Sequence, residues 1–326
     1  MNGPLPFTEC WRDSPSVKTG TIIPRLKRPT STDPFRMDWH YFSGVVSIHV
    51  LTLFALIPWL FSWEGFIVGV LTVYLFGRSI NLCYHRQLTH RSFKTPLWLE
   101  HLYVILALCC LQDTPATWVA NHRMHHANSD KQNDPHSPLV SFWWSHYGWL
   151  FRRNMALSPL ALHSKYARDI LADKWYLRLE RGVMSEFIYI GHSLLFAAAG
   201  AWWGWIKTGT AIGSLQMGLS MLLWGVIVRT YVIWHITQSV NSLTHLYGYR
   251  SYDTDDNSRN NWLVGIFAMG EGWHNNHHAE PSAARQQRRW WEIDVIYYEI
   301  WLLERLGLAT NVVRPKGRIS DDVISA

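Results

Sequence analysis

The chain has 326 residues, room for one large domain or two ordinary ones, and a net charge of +6; such a mild basic excess suits an anionic membrane surface or an anionic substrate. Its 20 tryptophans are scattered rather than clustered, as befits membrane–water interfaces and apolar tunnels, and the basic residues form no cap-wide patch of the kind nucleic acid requires. The cysteines Cys10, Cys83, Cys109 and Cys110 include no CxxC pair, which supports neither a disulfide framework nor a thiolate metal site.

Residues 1–38 are polar, proline-bearing and basic, and lack the apolar core of a cleavable secretory signal. They read as an N-terminal arm. Four apolar segments follow over 41–61, 66–84, 187–206 and 214–236, each long enough at about 1.5 Å per residue to cross a bilayer. Short breaks between the first and second, and between the third and fourth, pair them into two helical hairpins. A further apolar stretch over 97–112 is short and flanked by Glu100, His101 and Asp113. It reads as an interfacial helix, because crossing would put the histidine clusters on opposite sides of the membrane.

The fold class expected is therefore an all-α integral membrane protein: four spans, an interfacial helix and a helical cap. One membrane domain is expected over 39–310, with the cap drawn from 85–186 and 237–310 and a polar tail over 311–326. Lysine and arginine crowd the arm, the central segment and the region after 245, whereas the two hairpin turns carry only Lys207. Both termini and the cap should then be cytoplasmic. An endoplasmic reticulum or a bacterial inner membrane would serve equally.

The chemistry lies in the histidines. HRQLTH supplies His85 and His90, HRMHH supplies His122, His125 and His126, and HNNHH supplies His274, His277 and His278. His245 in NSLTH is a ninth candidate, with Asn241 one turn before it on the same face. In a helix, residues three and four apart share a face, so each triplet should aim its imidazoles in one direction. Eight or nine imidazoles exceed what one first-row ion can hold, and two neighbouring metals is the economical count. Imidazole suits iron, zinc, copper and nickel alike, so the ligands alone do not name the element. The remaining histidines (His40, His49, His101, His136, His146, His163, His192 and His235) read as packed or hydrogen-bonded residues, His136 being the nearest to a box. Arg78 and Arg229, within the spans, read as snorkelling to the interface.

These stretches, with NHRMHHANSDKQNDPHSP, SHYGWLFRR, VNSLTHLYGYRSYD and GEGWHNNHHAEP, resemble the membrane-bound fatty acid desaturase family, in particular its Δ9 acyl branch. The resemblance runs in order over about residues 40–300. It implies two iron ions held by His85, His90, His122, His125, His126, His245, His274, His277 and His278, with Asn241 holding a metal-bound water. It also implies O₂ as co-substrate and a long-chain fatty acyl substrate. Gly77 and Val73, about two and three turns before the first box, would close the far end of an acyl tunnel. Arg152 and Arg153 match a basic pair that acyl-CoA relatives use on phosphates. The Arg-Asp pair those relatives carry before the second box is Ala120-Asn121 here, which leaves acyl-lipid and acyl-carrier thioesters open beside acyl-CoA.

No HPGG stretch, GxGxxG or CxxC points to an internal electron carrier. A separate donor, cytochrome b5 or ferredoxin, should dock, and the basic segment 285–292 offers a surface for an acidic one or an interfacial anchor. A membrane hydroxylase on the same histidine scaffold is the nearest rival. A membrane metal-binding or transport protein is a remoter one, since its ligands should lie inside the spans.

Overall fold

The computed structural model describes residues 25–154 and 159–316. The arm up to residue 24 and the tail from 317 lie outside them. The described chain is helical, with isolated β-bridges and no strand among the described residues.

Eight helices position the site: α1 (Trp39–Leu56), α2 (Trp63–Thr89), α3 (Leu97–Leu108), α4 (Pro115–Asn128), α5 (Met184–Thr208), α6 (Ala211–Leu243), α7 (His274–Ala279) and α8 (Val295–Arg305). The apolar segments over 66–84, 187–206 and 214–236 lie wholly in helices, and the first lies in α1 as far as Leu56. Three of these, α1, α2 and α6, are long and apolar enough to cross a membrane. The fourth, α5, runs 25 residues, but tryptophans, glycines and His192 dilute its apolar content. Large apolar side chains on α1 and α5 point outward, Leu56 being 80% exposed and Leu195 70%, as lipid contact requires. Pro58 ends the first apolar segment in a short 3₁₀ turn rather than continuing the helix. The 12 residues of α3 span about 18 Å, well short of a hydrocarbon core of ~30 Å.

Side-chain caps mark the spans' starts. Ser62 accepts from Gly65 N at 3.0 Å before α2, and Thr210 from Gly213 N at 3.1 Å before α6. Gly209 ends α5 in the left-handed conformation, φ 66°. The α5–α6 hairpin packs backbone to backbone: a Cβ on Gly204 would sit 2.4 Å from Gly213 O. Small residues at such crossings are how membrane helices approach closely.

Both α2 and α6 extend beyond the expected spans, and this brings the site into being. The last ten residues of α2, Ile80–Thr89, wind as a π-helix, and α6 contains a second π segment, Leu223–Val228. The ends of α2 and α3, with α4 and α8, bury Ile80, Leu82, Tyr84, Phe93, Leu108 and Ile296 in the main core.

One reading of the arginines is corrected. Arg229 does not snorkel; it is fully buried, donating to Cys109 O at 2.7 Å and His192 Nε2 at 2.9 Å, with its guanidinium 4.2 Å from the Phe76 ring centre. It lies too far inside α6, hemmed by α2 and α5, for its stem to reach water. Arg78 pairs with Glu299 at 2.9 Å.

Candidate metal centre

His85 and His90 lie five residues apart, a spacing that an α-helix would splay. The π-helix brings them together: His90 N donates to His85 O at 3.1 Å, and the two rings lie 4.8 Å apart. On α4, His122 and His126 stand one turn apart with their Nε2 atoms 3.1 Å from each other. On α7, His274 and His278 repeat that arrangement at 3.1 Å.

The nine histidines form two groups. His85, His90, His122, His126 and His277 make one; His125, His245, His274 and His278 make the other; in each, the ligand atoms lie within 4.8 Å of one another. The expectation that each triplet aims its imidazoles in one direction is corrected here. Each HxxHH box gives its i, i+4 pair to one group and its i+3 imidazole to the other. Successive helix positions are rotated by about 100°, so a helix running between two centres presents its i+3 and i+4 side chains to different ones.

The ring nitrogens suit cations. His90 Nε2 and His245 Nε2 are buried without a protein partner. Burial, and then neighbouring imidazoles, hold His122, His126, His274 and His277 well below the ordinary imidazole range, so their lone pairs are free at neutral pH. Four rings are oriented by carboxylates on Nδ1, which leaves Nε2 to face inward. His85 Nδ1 lies 2.8 Å from Glu271, His125 Nδ1 3.0 Å from Asp134, His245 Nδ1 2.9 Å from Asp130 and His278 Nδ1 2.5 Å from Asp256. Glu271 is held in turn by Arg86, fully buried at 2.9 Å and also paired with Asp294. Burial alone would raise the Glu271 carboxyl; Arg86 and His85 bring it down to about 2. Sequence reasoning passed over these carboxylates and Arg86, although Asp130 and Asp134 in HHANSDKQND, Glu271 in GEGWH and Arg86 in HRQ adjoin a box; only Asp256, in YDTDDN, lies well away from one.

Two cavities meet beside the histidines. The larger, about 650 Å³, enters past α1 and α4 and reaches His122 and Asn241. The smaller, about 40 Å³, continues between α2 and α6 and is lined by Val73, Gly77, Ile233, His85 and His274. Trp118, His122, Thr237 and Asn241 belong to both. Trp118 stacks on His122 at 5.0 Å, and Gln112 donates to Thr237 Oγ1 at 3.0 Å across the junction. Asn241 donates to Gln238 at 3.1 Å. Arg152 and Arg153 line neither cavity; they pair with Asp33 at 3.2 Å and Asp38 at 3.5 Å.

The other histidines are packed or bonded. His146 lies 3.1 Å from His235 and 3.0 Å from Ser242, and His136 stacks on the ligand candidate His125 at 4.4 Å.

A helical membrane protein with two adjoining all-imidazole groups is a histidine-box metalloprotein in its architecture. The model of the fatty acid desaturase family matches residues 57–302, and the chain belongs to that family. It resembles an sn-1 stearoyl-lipid 9-desaturase of Anabaena variabilis, 39% identical over 284 residues, which are 87% of this chain and 96% of that protein. It resembles an sn-2 palmitoyl-lipid 9-desaturase of Nostoc sp. (strain 36), 40% identical over 275 residues, 83% of this chain and 88% of that one. An acyl-CoA 5-desaturase of Anemone leveillei is 41% identical over 275 residues, 83% and 78% of the two chains. The protein is an oxidoreductase, a fatty acyl desaturase.

Proposed function

We propose that the chain introduces a cis double bond at the Δ9 position of a long saturated acyl chain carried on a membrane lipid. Two iron ions would be held by the five-imidazole and four-imidazole groups, with Asn241 holding a metal-bound water. Bound iron would supply reductive activation of O₂ to an oxidant strong enough for an unactivated methylene. The residues do the rest: imidazoles kept neutral by burial hold the ions without adding charge, the carboxylates on Nδ1 fix the rings, and the cavity walls seat the chain away from water.

One observation carries the reading. The imidazole groups border the junction of the two cavities, so a chain threaded from one into the other would pass Trp118, His122 and Asn241. The mouth of the larger cavity supports a lipid carrier over CoA. Asp113, Glu180 and Glu186 line that cavity and, among the described residues, no lysine or arginine does, a poor match for a carrier with several phosphates. Arg152 and Arg153, already paired with aspartates, would brace the 25–40 segment. Electrons would come from a separate cytochrome b5- or ferredoxin-type donor, and exposed Arg289 and Trp290 offer it a place to dock. The lysine and arginine distribution favours a cytoplasmic side for both termini and the metal centre.

The test is expression in a desaturase-deficient host, with a b5- or ferredoxin-type donor supplied, and gas chromatography of total fatty acids with double-bond localisation. A new cis-Δ9 monoene, absent with His277→Ala although that variant still reaches the membrane, is the expected result. Hydroxylated chains would instead assign the protein to lipid-chain hydroxylation.

A further inference from the structure

A third cavity, about 530 Å³, reaches the histidines from another direction and shares no lining residue with the acyl cavities. Its floor is His126 and His278, one from each imidazole group, stacked at 4.5 Å. Its walls are polar: Ser129, Thr254, Asp255 and Asp256 line it, together with Lys131, Tyr252, Asp253 and Ala279. Ser129 is only 7% exposed, yet its Oγ has no hydrogen-bond partner, so the groove holds a buried polar group that needs water or an ion. Asp253 and Asp255 are exposed at the mouth, and Asp256 sits at the floor against His278. Asp253 is paired with Arg250 at 3.6 Å, which leaves the carboxylates of Asp255 and Asp256 against the one ammonium of Lys131.

A divalent ion travels hydrated, and imidazoles this deeply buried must be reached by some aqueous path. The acyl cavity also carries carboxylates, Asp113, Glu180 and Glu186, but Val45, Leu111, Trp118, Tyr147, Leu150 and Trp234 line it as well, and a bound acyl chain would fill it and close that path to water. The polar groove is wide enough for a hydrated ion, bears excess negative charge that raises local cation concentration, and ends on ligand edges of both groups. We propose that this groove is the aqueous portal through which metal ions enter and leave the centre, separate from the acyl entrance. This rests on the di-metal reading above.

The experiment uses full-length holoenzyme in detergent with Asp255→Cys, in a Cys10→Ser background so that a bulky maleimide goes to one thiol; the other cysteines, Cys83, Cys109 and Cys110, are buried. Under reducing conditions the bound iron is exchanged against isotopically enriched ferrous ion and followed by mass spectrometry. Labelling the introduced thiol should slow exchange on the order of tenfold relative to the unlabelled variant, and filling the acyl cavity with a stearoyl chain should leave it unchanged. The reverse pattern, exchange indifferent to the label and slowed by the acyl chain, would overturn the proposal. So would an unlabelled protein that exchanges no iron at all. Metal analysis of the starting holoenzyme distinguishes the two levels: absence of iron there sinks the di-metal reading itself.

Discussion

His122 and His125 stand on one short helix yet belong to different imidazole groups, and what orients the His125 ring is the Asp134 carboxylate, 3.0 Å from its Nδ1. Asp130 illustrates the consequence. It holds His245 Nδ1 at 2.9 Å and also accepts from Asn257 N at 2.8 Å. Asp130→Asn should keep the fold and lower metal affinity of the four-imidazole group about 10–100-fold, read as iron retained after dialysis against a graded chelator series. Asp113 offers a second test. Burial raises its carboxyl to about 6, partly opposed by the hydrogen bond from Tyr41, so the folded state favours the protonated form. That stabilisation is complete below the unfolded carboxylate range near ~4 and is lost as pH rises through the folded value. The melting temperature should therefore fall between those two points, and Asp113→Asn should flatten the fall.

The nine clustered histidines were legible at this scale because their type and spacing are rare. Their carboxylate partners were not, because an aspartate near a box is ordinary in sequence and acquires meaning only from the ring it meets. Arg229 was misread for a related reason: its depth in α6 could be counted, but not the crowding by Phe76 and His192 that encloses it.

At the scale of elements, the departures from regular geometry do the positioning. The π-helix ending α2 closes the His85–His90 gap, something hydropathy could not register. Hydropathy did mark the α5–α6 hairpin, since apolar length is a local property, but not that α1 packs on α6 rather than pairing with α2. It could not show that the α5–α6 crossing depends on missing side chains. Gly204→Leu, whose Cβ alone would fall 2.4 Å from Gly213 O, should cost about 1–3 kcal/mol, seen as a lower melting temperature in detergent. Gly191→Leu on the same helix, where no atom lies within 4 Å, should be neutral.

For the whole molecule, two cavities and a metal centre arranged in series make a measuring device. A Cβ on Gly77 would sit 3.5 Å from Ile233 and Met269 in the smaller cavity. Gly77→Leu should fill that end and favour shorter chains, shifting the ratio of stearoyl- to palmitoyl-derived product down roughly tenfold, as measured by chromatography of products from mixed substrates. Double-bond position, counted from the carrier end, should hold.

With metals bound, the divided allegiance of each HxxHH box would also make the two imidazole groups one cooperative unit. Neither group can be assembled from helices that the other does not also grip, so the first ion to bind fixes α4 and α7 for the second and lowers the ordering cost it meets. Occupancy should then be all or none. A metal titration ought to pass from empty to doubly loaded protein with little singly loaded species between, and one damaged box should empty both halves.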